Sequence, residues 1–372
     1  MSNRFPNAPD IHTADSMRRR IRGRGAGENP AGRFESMNVK IDEDAWIDPE
    51  DYQEEGKQIR TEVFRDATRS VISKNDSPDV GMDASVNPYR GCEHGCIYCF
   101  ARPGHEYLGM SAGLDFETKL FAKPDAPELL ARELGAKSYV PHTIMFSGNT
   151  DCYQPLERHM KITRACMDVC ADFRQPVVIV TKNQLVTRDI DIFKRMAEYD
   201  CIAVKLSITS LDGSIARVME PRASQPKLRL RAVEALARAG IPVGIMIGPV
   251  VPGLTDHEIP GILEAAANAG AKDAHYTMLR LPYGVKDLFQ TWLGDHFPDR
   301  KDKVLNRIRE IRGGKLNNAE FGERMRGQGF FAEQVAQIFA MHIKKQGLNK
   351  KRFQLSAAHF KRDAHDAQLS FF

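Results

Sequence analysis

Three cysteines fall within eight residues, in the run Arg90-Gly91-Cys92-Glu93-His94-Gly95-Cys96-Ile97-Tyr98-Cys99-Phe100. Offsets of four and three residues are short enough for all three sulfurs to face one metal centre. A tetrahedral zinc site needs a fourth ligand at comparable spacing, and His94 and His105 complete no familiar zinc pattern. A cubane iron–sulfur cluster held by three thiolates keeps its fourth iron open for a small molecule and needs no further ligand. A zinc knuckle and a redox-sensing thiol group are the other readings, although redox sites usually use a pair of thiols.

The elements around this run must form a frame that holds it. From Ser85 onward, short apolar runs alternate with amphipathic stretches. Strands are expected at Ser85–Tyr89, Thr143–Phe146, Pro176–Thr181, Cys201–Ile208, Val243–Ile247 and Ala274–Leu279, with a further extended stretch at Leu114–Ala122. Helices are expected at Asp125–Leu134, Leu156–Phe173, Asp189–Glu198, Lys227–Ala239 and Asp256–Ala269. Continuous apolar strands between amphipathic helices suit a parallel sheet buried on both faces. Six such units predict an α/β fold, a partial (β/α)6-type TIM barrel over residues 80–285, in which chemistry belongs at the C-terminal ends of the strands.

The 372-residue chain is 42% hydrophobic with a net charge of +4, enough for one large α/β domain with appendages. Its seven cysteines, an odd number without a secretory signal, argue against a disulfide framework and for a cytoplasmic protein. The longest apolar stretch, Ile241–Leu254, carries three glycines and three prolines and is too short to span a bilayer. Residues 1–70 lack apolar periodicity and are expected to be a largely disordered tail. That tail contains an arginine–glycine run at Met17–Gly25, suited to phosphate backbones or simply solvated, and an acidic segment at Glu43–Glu55. Residues 286–355 predict a small helical appendage with a basic face, and 356–372 a terminal tail.

The polar residues that end the expected strands supply further candidates. Ser147-Gly148-Asn149-Thr150-Asp151 follows the second strand, Ser207 and Thr209 end the fourth, and Pro249-Val250 follow the fifth. Ser and Thr in such places also cap helices. Arg222 offers a fork for a carboxylate, or a partner for Glu220 or Asp212. Cys152 has a weak S–H bond that could donate a hydrogen atom, although a lone cysteine more often fills a core, as expected of Cys166 and Cys170. Lys182, Tyr276 and Arg280 also end strands and could touch substrate.

The spacing Cys92-x3-Cys96-x-Tyr98-Cys99 resembles the CxxxCxΦC signature of radical S-adenosylmethionine (SAM) enzymes. Asn87-Pro88-Tyr89-Arg90-Gly91-Cys92, Gly148-Asn149-Thr150-Asp151, Tyr153-Gln154-Pro155, Glu157 and Pro249–Gly253 extend the likeness over roughly residues 80–285, toward the group around spore photoproduct lyase. The resemblance implies a barrel of the radical SAM type and a [4Fe–4S] cluster on Cys92, Cys96 and Cys99. It also implies SAM cleaved by one electron to a 5′-deoxyadenosyl radical that abstracts hydrogen from substrate, and an electron donor such as flavodoxin or ferredoxin. Ser147, Gly148, Asn149 and Asp151 take the place of the family's methionine-gripping motif, with Asn149 where an acid is usual. Ser207 and Thr209 match the ribose pair, and Pro249, Val250 and Tyr98 border the adenine. The substrate is expected to be nucleic acid, acted on by a repair-like lyase, with a peptide or small metabolite as the alternative. A zinc-stabilised nucleic-acid-binding protein is the rival of another class.

The last five residues, Gln368-Leu369-Ser370-Phe371-Phe372, resemble the peptide by which bacterial replication and repair proteins dock on the sliding clamp, with Phe371 in place of the usual leucine.

Overall fold

The computed structural model describes residue 21 and residues 23–34, 59–351 and 353–362. Most of the arginine–glycine run, the acidic segment and the terminal Gln368–Phe372 peptide lie outside the described residues. The central sheet has seven strands: β2 (Ile72–Lys74), β3 (Ala84–Val86), β6 (Ile144–Phe146), β7 (Val177–Thr181), β8 (Ile202–Ser207), β9 (Val243–Val250) and β10 (Asp273–Met278). Its order is β10-β9-β8-β7-β6-β3-β2, with β2 antiparallel at the edge and the other six strands parallel. These six are the strands expected from the apolar runs. The stretch around 114–122 differs, since Asp115–Thr118 is a helical turn and only Lys119–Ala122 (β5) is extended.

Strand β5 pairs with β1 (Glu62–Arg65) and β4 (Tyr89–Arg90) in a small second sheet, and β4 leads straight into the cysteines. Residues 23–34 and 59–70, expected within a disordered tail, thus contribute a strand and a packed strap. Ala26 is buried, and the Arg24 guanidinium donates to the carbonyls of Glu117 and Ile59. Composition hid this, because the strap is held by hydrogen bonds to the rest of the chain rather than by an apolar face.

Two cores form. The larger lies within and around the sheet, and the smaller joins Ile97 and Tyr98 of the cysteine run to helices Val285–His296 and Lys301–Ile311. The C-terminal helices therefore share a core with the cysteine loop. Helix Phe330–Gln346 packs on helix Ile259–Asn268, and the segment before it reaches the end of β10, where the Met278 N–H donates to the Met325 carbonyl. The stretch at 356–360, expected in the terminal tail, is a turn that packs back on the domain, with Phe360 against Tyr139 and Phe173.

Candidate active site

The cysteine loop begins with two glycines in left-handed conformations, Gly91 (φ 75°) and Gly95 (φ 64°). A Cβ on Gly91 would lie 2.6 Å from Leu120 and 2.9 Å from the Phe116 carbonyl, so no other residue fits. Main-chain bonds then fix the loop: Cys92 N–H to Phe116 O (2.9 Å), Ile97 N–H to Met219 O (3.1 Å) and Cys99 N–H to Cys96 O (3.2 Å). Cys92 and Cys96 are buried, Cys99 is partly open, and all three are free thiols.

Buried polar side chains grip this loop from three directions. On one side, Gln154 accepts from the Glu93 N–H (2.8 Å) and donates to the Gly91 carbonyl (3.2 Å), while the Thr150 hydroxyl donates to the Tyr89 carbonyl (2.7 Å). On a second, the fully buried Arg102 donates to the Cys96 carbonyl (3.0 Å) and pairs with the equally buried Glu117 (2.5 Å). Above, the strap crosses: the N–H groups of Gly25 and Ala26 both donate to the Glu117 carboxylate at 2.9 Å. A Cβ on Gly25 would lie 1.8 Å from the Gly95 carbonyl oxygen, so the strap touches the loop backbone.

The donor set fits an iron–sulfur cluster. Burial pushes the Cys92 thiol far up and that of Cys96 to about 12, so both ionise only beside added positive charge, which bound iron supplies. Among the described residues no three His, Cys, Asp or Glu side chains are gathered closely enough to hold one metal ion. One thiolate on each of three irons needs a wider set than that.

Tyr98 does more than border a ligand. Its hydroxyl donates to the Glu220 carboxylate, which also accepts from Thr209 (2.8 Å) and pairs with the buried Arg229. Burial pushes the Glu220 carboxyl up, but Arg229 and Lys182 outweigh it and hold the group below its ordinary value. Arg229 also donates to the Ser207 carbonyl (2.8 Å), the Ser207 hydroxyl donates to the Gly248 carbonyl (3.2 Å), and Thr209 Oγ1, whose proton goes to Glu220, lies 3.2 Å from that same carbonyl. This network ties the cysteine loop to the ends of β8 and β9. Pro249 and Val250 belong to β9, buried, with a cis peptide before Pro249.

Several expected residues are placed differently. Asp151 accepts from Tyr153 N–H, Thr181 and Lys182 N–H and lies 3.3 Å from His94, so its carboxylate ties the cysteine loop to the end of β7. Burial raises that carboxyl, yet His94 and these donors hold it at about 2. Arg222 pairs with Glu93 (3.1 Å), not with Glu220 or Asp212. Cys152 is fully buried in the larger core beside Cys166 and Cys170, with no opening for hydrogen transfer. Ser147 accepts from the Cys152 N–H (2.9 Å) in a left-handed conformation (φ 71°), and the Asn149 N–H donates to Asn87 (2.8 Å), with Asn149 exposed and Gly148 packed against Ser85. Lys182, beyond the end of β7, has no side-chain hydrogen bond or ion pair among the described residues and lies 5.8 Å from the Tyr98 ring. Sequence reasoning missed Arg229, Gln154, Arg102 with Glu117, and the strap. Spacing carries no signal for partners as much as 111 or 122 residues apart, as Thr209 and Glu220 are from Tyr98.

The profile of the Radical SAM superfamily matches residues 86–266. An uncharacterised protein of Mycobacterium tuberculosis (strain ATCC 25618 / H37Rv) is 32% identical over 261 residues, covering 69% of this chain and 74% of that protein. A radical SAM Nalpha-GlyT isomerase of Pseudomonas phage M6 is 26% identical over 188 residues, 50% of this chain and 37% of the isomerase. Among solved structures, spore photoproduct lyase complexed with dinucleoside spore photoproduct shares the fold, with a TM-score of 0.54 at 15% identity, covering 77% of this chain and 80% of that one. No helix among the described residues is long and apolar enough to cross a membrane. With its three-cysteine loop at the ends of a six-stranded parallel sheet, this chain belongs to the radical SAM superfamily of enzymes, which use a [4Fe–4S] cluster and SAM.

Proposed function

We propose that this enzyme acts on nucleic acid in a lyase-like, repair-type reaction. When bound, the cluster and SAM supply a one-electron cleavage of SAM to methionine and a 5′-deoxyadenosyl radical, which takes a hydrogen atom from the substrate. Cys92, Cys96 and Cys99 hold the cluster. Lys182, which feels the Glu220 charge but makes no direct ion pair among the described residues, takes the SAM carboxylate in place of Arg222, which Glu93 occupies. Ser147, Gly148 and Asn149 meet the methionine amino group, Ser207 and Thr209 the ribose side, and Tyr98, Pro249 and Val250 the adenine. An electron donor such as flavodoxin or ferredoxin serves the cluster, in the cytoplasm.

The observation that carries the substrate class is a rim of exposed rings with arginine between them. Phe34, Tyr107 and Tyr283 are 61%, 73% and 59% exposed, and the Arg33 guanidinium lies over all three, closest to Tyr283 at 3.8 Å. Tyr283 follows β10 and Tyr107 follows the cysteine loop, so the rim borders the end of the sheet where the cysteines lie. Exposed rings around one guanidinium, which Glu106 holds in place, suit nucleobases. The fold shared with spore photoproduct lyase, solved with a dinucleoside spore photoproduct, supports the same class.

Anaerobic reconstitution with iron and sulfide, followed by assay of 5′-deoxyadenosine, tests this reading. Wild type should cleave SAM, faster when DNA or RNA fragments are added, and a variant with all three cysteines changed to alanine should not. Cleavage that ignores nucleic acid but rises with peptide or metabolite extracts would reject the substrate class. The terminal peptide is a further proposal: it docks on the sliding clamp, and a chain shortened by Gln368–Phe372 should lose clamp binding in a pull-down while keeping SAM cleavage.

A further inference from the structure

Strand β10 runs out through Leu279 into Arg280, whose guanidinium has no carboxylate partner among the described residues. Its Nη1 donates to the Met325 thioether at 3.6 Å, and its plane lies 5.4 Å from the Phe100 ring. Two more arginines stand close. Arg324 is bound to Asp79, and its charge, added to burial, lowers the Arg280 pKa. Arg312 is buried, donates to the carbonyls of Leu279 (2.6 Å) and Glu323 (3.1 Å), and leaves its Nε without a partner. Burial and Arg280 together bring it down to about 10.

Among the described residues Asp79 is the one carboxylate whose field reaches Arg280, and it is already committed to Arg324 and the Gly322 N–H. Among the described residues, three guanidinium groups less one carboxylate leave two positive charges uncompensated in a half-buried place. Such charge costs free energy unless an anion completes it.

The position says which anion. Phe100 follows Cys99 directly, and its ring is 46% exposed. Lys182 lies by the Tyr98 ring and Arg280 over the Phe100 ring, so the two cations meet different residues of the cysteine run. With Lys182 assigned to the SAM carboxylate, Arg280 is left for a different anion. A ring beside a free guanidinium fork fits a nucleotide, with the base on Phe100 and the phosphate on the fork.

We infer that Arg280, backed by Arg312 and Arg324, forms a phosphate subsite for the substrate, with Phe100 as the stacking surface beside it. This rests on the nucleic-acid reading for the identity of the ligand, but the subsite itself can be tested apart from it. Binding of thymidine, thymidine monophosphate, inorganic phosphate and a labelled oligothymidylate is measured on reconstituted wild type and on Arg280→Gln and Arg280→Lys, with thermal unfolding to confirm the fold. Wild type should prefer the monophosphate to thymidine by about tenfold, Arg280→Gln should erase the preference, and Arg280→Lys should keep part of it. The oligothymidylate should lose about one unit of salt dependence in Arg280→Gln. If the preference survives in Arg280→Gln, or wild type binds no phosphate compound, the subsite is wrong, whatever nucleic acid does to SAM cleavage. If inorganic phosphate binds through Arg280 while oligothymidylate does not bind, the subsite stands and the nucleic-acid reading falls.

Discussion

Gly25 shows how tightly single residues are constrained around the cysteines. The Gly95 carbonyl oxygen lies 1.8 Å from where its Cβ would be, and the neighbouring N–H groups bind a carboxylate, Glu117, that has no solvent exposure. Gly25→Ala must lift the strap and expose the Glu117–Arg102 pair, at a cost of about 2 kcal/mol. Because Arg102 holds the Cys96 carbonyl, the reconstituted cluster of Gly25→Ala should bleach several-fold faster in air than that of wild type. Equal bleaching rates, followed by visible absorbance, would mean that the strap does not shield the loop. Nothing in residues 17–25 reads as a cover, since an arginine–glycine run looks the same whether it is solvated, bound to phosphate or seated on a loop more than 60 positions away.

At the scale of elements, the far end of the sheet is built for stability. Lys205 on β8 pairs with Asp273 on β10 at 2.7 Å, reaching across Gly244 of β9, where a Cβ would lie 2.6 Å from the Asp273 carbonyl. Burial raises the Asp273 carboxyl, but His275 and Lys205 outweigh it, so its folded-state pKa lies below the ordinary value. A depressed carboxylate stabilises the fold above its unfolded pKa near 4, and that contribution is lost as the pH falls through the folded value. Asp273→Asn should therefore lower the unfolding free energy by about 3 kcal/mol at neutral pH. The gap to wild type should close as the pH drops below about 4. SAM cleavage per folded molecule should be unchanged, because the pair lies at the start of β10, away from the cysteines. A gap that persists in acid, in denaturation curves taken across pH, would assign the loss to packing instead.

Across the whole molecule, the cysteine loop is built into the smaller core and follows directly on Tyr89 of the larger one. Trp292 of helix Val285–His296 is in the core that contains Ile97 and Tyr98, and its Nε1–H donates to the Val218 carbonyl at 3.1 Å. The C-terminal helices therefore complete the site's outer wall. Trp292→Ala should cost about 4 kcal/mol and reduce the iron retained after desalting. Full iron retention with the same stability loss would show that the wall and the site are independent.

The sequence by itself determined the frame. Six apolar runs of strand length and the amphipathic stretches between them specify a parallel sheet because burial on both faces leaves few other arrangements. Cys92, Cys96 and Cys99 are legible because ligands to one cluster can lie close together along the chain. Tertiary structure decided which polar groups are free. Asp151, Arg222 and Cys152 read as ligand contacts until the fold brought His94, Glu93 and the core to them, and Lys182 and Arg280 stand out because no such partner reached them. Local spacing records what a residue can do, whereas a buried charge is either spent or available according to neighbours that only folding brings within hydrogen-bond distance.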